Sequence, residues 1–396
     1  MSDSDPMRQI LLTPGPTQVP PEVLREMALP IIHHRTREFQ DIFAEVSGRL
    51  GRVFGTEGPV LSISGSGTTA FEAAQVSLAR PGSKVLTIAG GKFGERWQDI
   101  FDAYAAGLGI EQIRLDVPWG QAVDPDRVAR ALKANPDVSV VTVVHSETST
   151  ATASDVKAIA SITKDTDALL LVDGITSVGA IPVQQDAWGI DVLVSGSQKA
   201  LMLAPGLGYV GLGPRAIQRL GAMESPGCYS LDLRRWLKSW EKQTVPFTPP
   251  VSLIRGQRVA LEMIEREGLQ RVWARTARLA AATRAAVGAL GLDLVSRAPS
   301  DSVTGAFYPE GVDDGAFRKA LREKHGIHIA GGQDGRGADW GGRIFRVSHM
   351  GFVNAEETLA ALAAVETELI AAGVQIEPGT AVSAARRHLG SDRGGS

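Results

Sequence analysis

Lys199 lies in Val194-Ser195-Gly196-Ser197-Gln198-Lys199, just beyond a short apolar run. Asp173 closes another such run, Ala168-Leu169-Leu170-Leu171-Val172-Asp173. A lone carboxylate at the end of one buried strand and a lone lysine past the next are the minimum apparatus for pyridoxal phosphate (PLP) chemistry. The amine condenses with the cofactor aldehyde, and the carboxylate keeps the pyridine nitrogen protonated so that the ring accepts electrons. The apolar stretch Ala200-Leu201-Met202-Leu203-Ala204 on the far side of Lys199 desolvates the amine, which lowers its pKa and makes it a better nucleophile. On local context alone, an exposed loop lysine is the competing reading.

Other segments supply what such a site needs. Ser64-Gly65-Ser66-Gly67-Thr68-Thr69-Ala70 leaves an apolar run and enters a helix, so Ser66, Gly67 and Thr68 offer backbone N–H groups and hydroxyls as a phosphate cradle. Its Gly65-x-Gly67-x-x-Ala70 spacing resembles a dinucleotide fingerprint. The next strand, however, ends in Ala89-Gly90-Gly91, with no acid to hold a ribose. Phe93, in a glycine-rich turn after a strand, either stacks on a flat ring or folds back on the core. His145-Ser146-Glu147-Thr148-Ser149-Thr150 presents hydroxyls and a carboxylate beyond a strand end, suited to a ring substituent or to capping the next helix. Arg346, flanked by apolar residues in Ile344-Phe345-Arg346-Val347, reads as a structural ion pair or a carboxylate clamp. His33-His34-Arg35 is a second basic cluster. Its histidines are adjacent, and His325 and His328 lack further ligands, so no metal site is expected.

The elements that must position these groups alternate. Apolar runs near 60–63, 84–88, 138–144, 168–172, 191–194 and 207–212 read as buried strands, and periodic segments near 68–79, 94–106, 125–134 and 154–163 as helices between them. That pattern predicts an α/β fold with a large, mixed but mostly parallel sheet, whose sites lie beyond the carboxyl ends of its strands. Residues 1–20, with Thr13-Pro14-Gly15-Pro16-Thr17, read as a rigid extended arm. Residues 21–265 form the large domain and 266–378 a smaller C-terminal α+β domain. The small, polar and basic stretch 379–396 is expected to be a disordered tail.

The 396 residues suit two domains, and an apolar share of 43% with 21% charged residues is that of a globular protein. A net charge of −3 gives no electrostatic case for nucleic acid or an anionic membrane, and neither is expected as a partner. The single cysteine, Cys228, forbids an intramolecular disulfide. With a polar, acidic N-terminus and no long apolar run, the expectation is a cytoplasmic protein.

In combination the motifs resemble the class V aminotransferase branch of the fold-type I PLP enzymes, in particular its alanine–glyoxylate and serine–glyoxylate aminotransferase group. The resemblance rests on Thr13–Thr17, His34–Phe39, Ser64–Thr68, Gly91–Trp97, Val172-Asp173, Ser195–Lys199, Pro246–Pro249 and Phe345–Val347, which keep family order over roughly residues 10–370. It implies that Lys199 links the cofactor and shuttles the substrate α-proton, while Asp173 pairs with the pyridine nitrogen. It implies that Ser66, Gly67, Thr68 and Gln198 hold the phosphate, with Thr248 arriving from the partner of a homodimer. By the same resemblance Phe93 stacks on the ring, Thr148 bonds the ring hydroxyl, Arg346 grips the substrate α-carboxylate, and Gly15 and Arg35 are further substrate-binding residues. Val245 departs from the family where relatives often carry a tyrosine. The implied activity is transfer of an amino group from alanine or serine to a small 2-oxo acid such as glyoxylate. The alternatives are an acidic donor or the pyridoxamine–pyruvate reaction, then a PLP lyase or desulfurase, then a non-catalytic PLP-binding protein.

Overall fold

The computed structural model describes residues 9–224 and 227–389. Its centre is a seven-stranded sheet. The strands are β1 (Val60–Gly65), β2 (Lys84–Ala89), β3 (Glu111–Asp116), β4 (Val138–Val144), β5 (Leu169–Asp173), β6 (Val192–Gly196) and β7 (Gly206–Leu212). Their order across the sheet is β1-β7-β6-β5-β4-β2-β3. β7 is antiparallel to both of its neighbours, and the other pairs are parallel. Every residue of β4 and β5 is buried, as expected of β-branched and leucine-rich strands covered on both faces. Because the six strands other than β7 point the same way, Ser66, Gly90, Ser146 and Ser197, which follow strand ends, and Asp173, which closes one, all lie at one end of the sheet.

β3 escapes the apolar-run reading. Its sequence Glu-Gln-Ile-Arg-Leu-Asp buries only Leu115, because it is the outermost strand and faces solvent. A long helix, Arg37–Phe54, precedes β1. The Thr36 side chain accepts from the Phe39 N–H at its start, Gly55 at φ 69° ends it, and Phe39, Ile42, Phe43, Val46 and Leu50 form its buried face.

A second core surrounds a three-stranded antiparallel sheet of Val303–Phe307, Ile344–Ser348 and Ala330–Gly331. Leu279, Ala286, Phe317, Phe345, Leu362 and Leu369 pack there. The N-terminal arm joins the two cores. Ile10–Leu11 pairs in parallel with Ile327–His328, and Leu12 is buried in the second core. Further on, the Thr17 N–H donates to the Gln198 carbonyl at 3.0 Å and its hydroxyl to the Lys199 carbonyl at 2.8 Å.

The expected disordered tail is corrected over residues 380–389. Thr380–Leu389 is a helix packed against Leu269–Ala289, with Ala381, Ala384, Ala385 and Leu389 buried. Small apolar residues at this spacing make a narrow stripe that lets two helices approach closely, and their size disguised them as linker. The Glu366 carboxylate anchors the segment, accepting the Gly379 and Ala381 N–H groups at 2.5 and 2.6 Å. Residues 390–396 lie outside the described residues.

Candidate active site

Lys199 follows β6 and Asp173 ends the adjacent β5, so the hydrogen-bonded register of two parallel strands places both beside one cavity. Asp173 is 3% exposed. Its two oxygens accept the Trp97 indole N–H at 2.7 Å and the Ile175 N–H at 2.9 Å. Burial pushes its pKa up to about 7 against those two bonds, with the nearby Glu147 adding to the rise. Burial pushes the Lys199 amine down to about 8; Asp173 opposes that shift, and Arg346 and Arg96 reinforce it. The arm forms a lid on the amine. The Pro14 carbonyl accepts from Nζ at 2.5 Å, and a β-carbon on Gly15 would lie 2.1 Å from Nζ. Gly15 also sits at φ +120°, where a side chain is rarely tolerated.

At the other end of the cavity Ser66 caps the helix Gly67–Leu78 through a capping box with Thr69. The next backbone N–H groups, on Gly67 and Thr68, belong to the helix start, where unpaired donors and the dipole favour an anion. Gln198 lines the same cavity, and the N–H groups of its side-chain amide are donors that an anion can use. The cavity is lined by Ser66, Gly67, Thr68, Phe93, Asp173, Gln198 and Lys199 among the residues singled out from sequence. These groups fit PLP. The helix start and Gln198 match its phosphate, the Phe93 ring a flat face, the buried carboxylate a protonated pyridine nitrogen, and the desolvated amine an aldehyde.

Arg346 is 6% exposed and tightly directed. Its Nε and Nη2 donate to the Gly331 carbonyl at 2.9 and 2.6 Å, and Nη1 donates to the Thr148 carbonyl at 2.9 Å. Three of the five guanidinium N–H groups are thus committed, and one remains on each Nη, the pair a carboxylate takes in two-pronged fashion. Burial lowers its pKa to about 10, which leaves it charged at neutral pH.

Arg346 does not itself line the cavity, and neither do three other expected site residues, Thr148, Thr248 and Arg35. Thr148 is buried, with its carbonyl on Arg346, and Ser146 rather than Thr148 lines the cavity. Thr248 is exposed in a groove with Ile31, Ile32, His33 and His34. Arg35 is exposed, and its Nη1 reaches the Val245 carbonyl at 3.3 Å. A single chain therefore does not bring Thr248 or Arg35 to the cavity. Sequence reasoning gave no role to Arg96, which lines the cavity, or to Trp97, which holds Asp173. The available signal was spacing: Phe93, Arg96 and Trp97 stand at i, i+3 and i+4 on one helix face.

The family profile described as aminotransferase class-V matches residues 10–362. An uncharacterized aminotransferase of Methanocaldococcus jannaschii is 41% identical over 94% of this chain and 96% of its own length. A serine–glyoxylate aminotransferase of Methylorubrum extorquens is 35% identical over 97% of this chain and 96% of its own. The crystal structure of ureidoglycine–glyoxylate aminotransferase from Bacillus subtilis superposes with a TM-score of 0.90 at 28% identity, covering 98% of this chain and 99% of that one. The profile runs from the arm that meets Lys199 to the helix beyond Arg346, and with it the chain belongs to the class V aminotransferases, enzymes that transfer amino groups with pyridoxal phosphate.

Proposed function

We propose that this aminotransferase moves the amino group of a small L-amino acid, alanine or serine, to glyoxylate or a similarly compact 2-oxo acid, as a cytoplasmic homodimer. When bound, PLP supplies the electron sink for bond breaking at the substrate α-carbon. The chain supplies the rest. Arg346, oriented by two carbonyls, has two N–H groups left to receive the α-carboxylate. Lys199, with a pKa brought to about 8, is poised to take and return a proton near neutral pH. Asp173 offers a buried negative charge, steadied by Trp97 and the Ile175 N–H. The Pro14-Gly15 turn closes directly on the lysine.

The observation that carries the substrate reading is that turn. With the Pro14 carbonyl at 2.5 Å and no side chain on Gly15, the arm leaves a tight space above Nζ, which favours compact substrates. The glyoxylate-named relative and solved structure agree with it. For the dimer, Thr248 is exposed in a groove that also bares Ile31, itself 76% exposed, as expected of a face that completes a partner's phosphate site. The single cysteine supports a reducing compartment.

A second reading, an acidic donor, is favoured by one feature. His33, His34 and Thr248 share a groove, so a dimer that delivers Thr248 also brings the Arg35 segment toward the site. The test is kcat/KM for glyoxylate and pyruvate against 2-oxoglutarate and oxaloacetate, in wild type and Arg35→Ala. The compact acceptors are expected to lead by about tenfold or more, about 1.4 kcal/mol. A dicarboxylic lead of that size, erased by Arg35→Ala, would replace this reading with the second.

A further inference from the structure

Glu147 follows the end of β4 and is 4% exposed, yet neither the cofactor contacts nor the substrate clamp use it. Its carboxylate accepts four hydrogen bonds. Oε2 receives the N–H groups of Phe93 at 3.1 Å and Gly94 at 3.0 Å, and Oε1 receives the Ser149 N–H at 3.1 Å and the Ser149 hydroxyl at 2.5 Å. The Ser149 oxygen in turn accepts the Lys92 N–H at 2.9 Å. Lys92, Phe93 and Gly94 are the first three residues of the helix Lys92–Leu108, whose preceding residue, Gly91, provides no side-chain cap. The unpaired donors of a helix start are thus satisfied from another strand's loop, by a negative group on the positive end of the helix dipole. Gly91 leaves room for this, since a β-carbon there would sit 2.4 Å from Glu147 Cγ.

The first turn and a half of that helix carries Phe93 and Arg96, both lining the cavity, and Trp97, whose indole holds Asp173. We propose that Glu147 is a positioning residue: with Ser149 it caps this helix from outside and so fixes Phe93 and Trp97 against the cofactor. The proposal rests on the reading of Phe93 as the residue that covers the ring. Burial pushes the Glu147 pKa up while its Ser149, Gly94 and Phe93 donors pull it down. All four donors need an acceptor, so the ionised carboxylate is the form that satisfies them.

The test uses the full chain with PLP, comparing Glu147→Gln, Ser149→Ala, Phe93→Leu and the Glu147→Gln/Phe93→Leu double variant. Glutamine keeps the shape but turns one accepting edge into a donor. In Glu147→Gln, hydrogen exchange at the Phe93 and Gly94 amides is expected to accelerate by roughly tenfold or more. The PLP dissociation constant should rise by a similar factor. The visible circular dichroism of bound PLP should weaken. Ser149→Ala should shift all three readouts the same way by less, and it serves if Glu147→Gln fails to fold. Adding Glu147→Gln to Phe93→Leu should raise the dissociation constant by clearly less than it does in wild type, because one residue acts through the other. Unchanged exchange at Phe93 and Gly94 in folded Glu147→Gln, or full additivity in the double variant, would overturn the proposal. If Phe93→Leu alone leaves PLP affinity intact, the stacking assignment of Phe93 fails instead, while accelerated exchange in Glu147→Gln still supports the cap.

Discussion

Asp173→Asn should stabilise the protein without PLP at pH 8 and cripple the enzyme with it. The carboxylate titrates at 3.8 in the unfolded chain and at about 7 in the fold, chiefly because it is buried. A group whose folded pKa is raised opposes folding once it ionises. The penalty is absent below pH 3.8, grows as pH rises toward about 7, and is constant above that. Three units correspond to about 4 kcal/mol at pH 8, and the smaller gap between 3.8 and pH 5 to about 1.5 kcal/mol. Asparagine removes this penalty but faces the Trp97 indole or the Ile175 amide with a donor, at a cost of about 1–2 kcal/mol that does not vary with pH. Urea denaturation of apo wild type and apo Asp173→Asn at pH 5 and pH 8 separates the two effects. The variant's stability relative to wild type should improve by about 2–3 kcal/mol between pH 5 and pH 8. Saturating PLP should reverse the ranking at pH 8, because only wild type offers the ring nitrogen a negative partner. A relative stability that does not change with pH would show that the Asp173 carboxylate is not held in the buried, destabilised state described here.

Gly15→Ala places a methyl 2.1 Å from Lys199 Nζ at a backbone φ of +120°. It should cost about 1–3 kcal/mol in stability by urea denaturation and weaken the lysine-linked absorbance of PLP; an unperturbed spectrum would remove the arm from the site. The lowered Lys199 pKa predicts that apoenzyme captures PLP at a rate rising with pH to a midpoint near 8, measurable by stopped-flow absorbance, whereas a midpoint above 10 would mean a solvated amine. Arg346→Lys keeps the charge but loses the paired N–H geometry, so kcat/KM should fall by roughly a hundredfold for every amino acid and oxo acid alike. Impairment of one substrate only would put Arg346 at the side-chain end of the pocket.

Much of the fold was legible because its central strands are buried on both faces. Runs such as Val138–Val144 and Leu169–Asp173 announce themselves as apolar, and their ends then located Asp173, Lys199 and the Ser66–Thr68 helix start. β3 was not legible, because an edge strand has only one face to bury, nor was Thr380–Leu389, because alanines at helical spacing look like linker until a partner helix is seen. The candidate residues that close or follow strands, Ser66, Asp173, Gln198 and Lys199, line one cavity. Those that act through helix geometry, Arg96 and Trp97, were not given roles, because their importance comes from where the Phe93 turn is anchored. Thr248 and Arg35 mark a different limit: neither reaches the cavity of its own chain, so only the homodimer proposed above would bring them to a site, and no spacing within one sequence encodes that assembly.

In the proposed function Lys199 is the amine that takes the cofactor. Borohydride reduction of the enzyme with PLP, followed by proteolysis and mass spectrometry, reads the modified residue directly. The label should fall on the peptide carrying Ser195-Gly196-Ser197-Gln198-Lys199 and be lost in folded Lys199→Ala. Stoichiometric labelling of another lysine, or of none, would contradict the account.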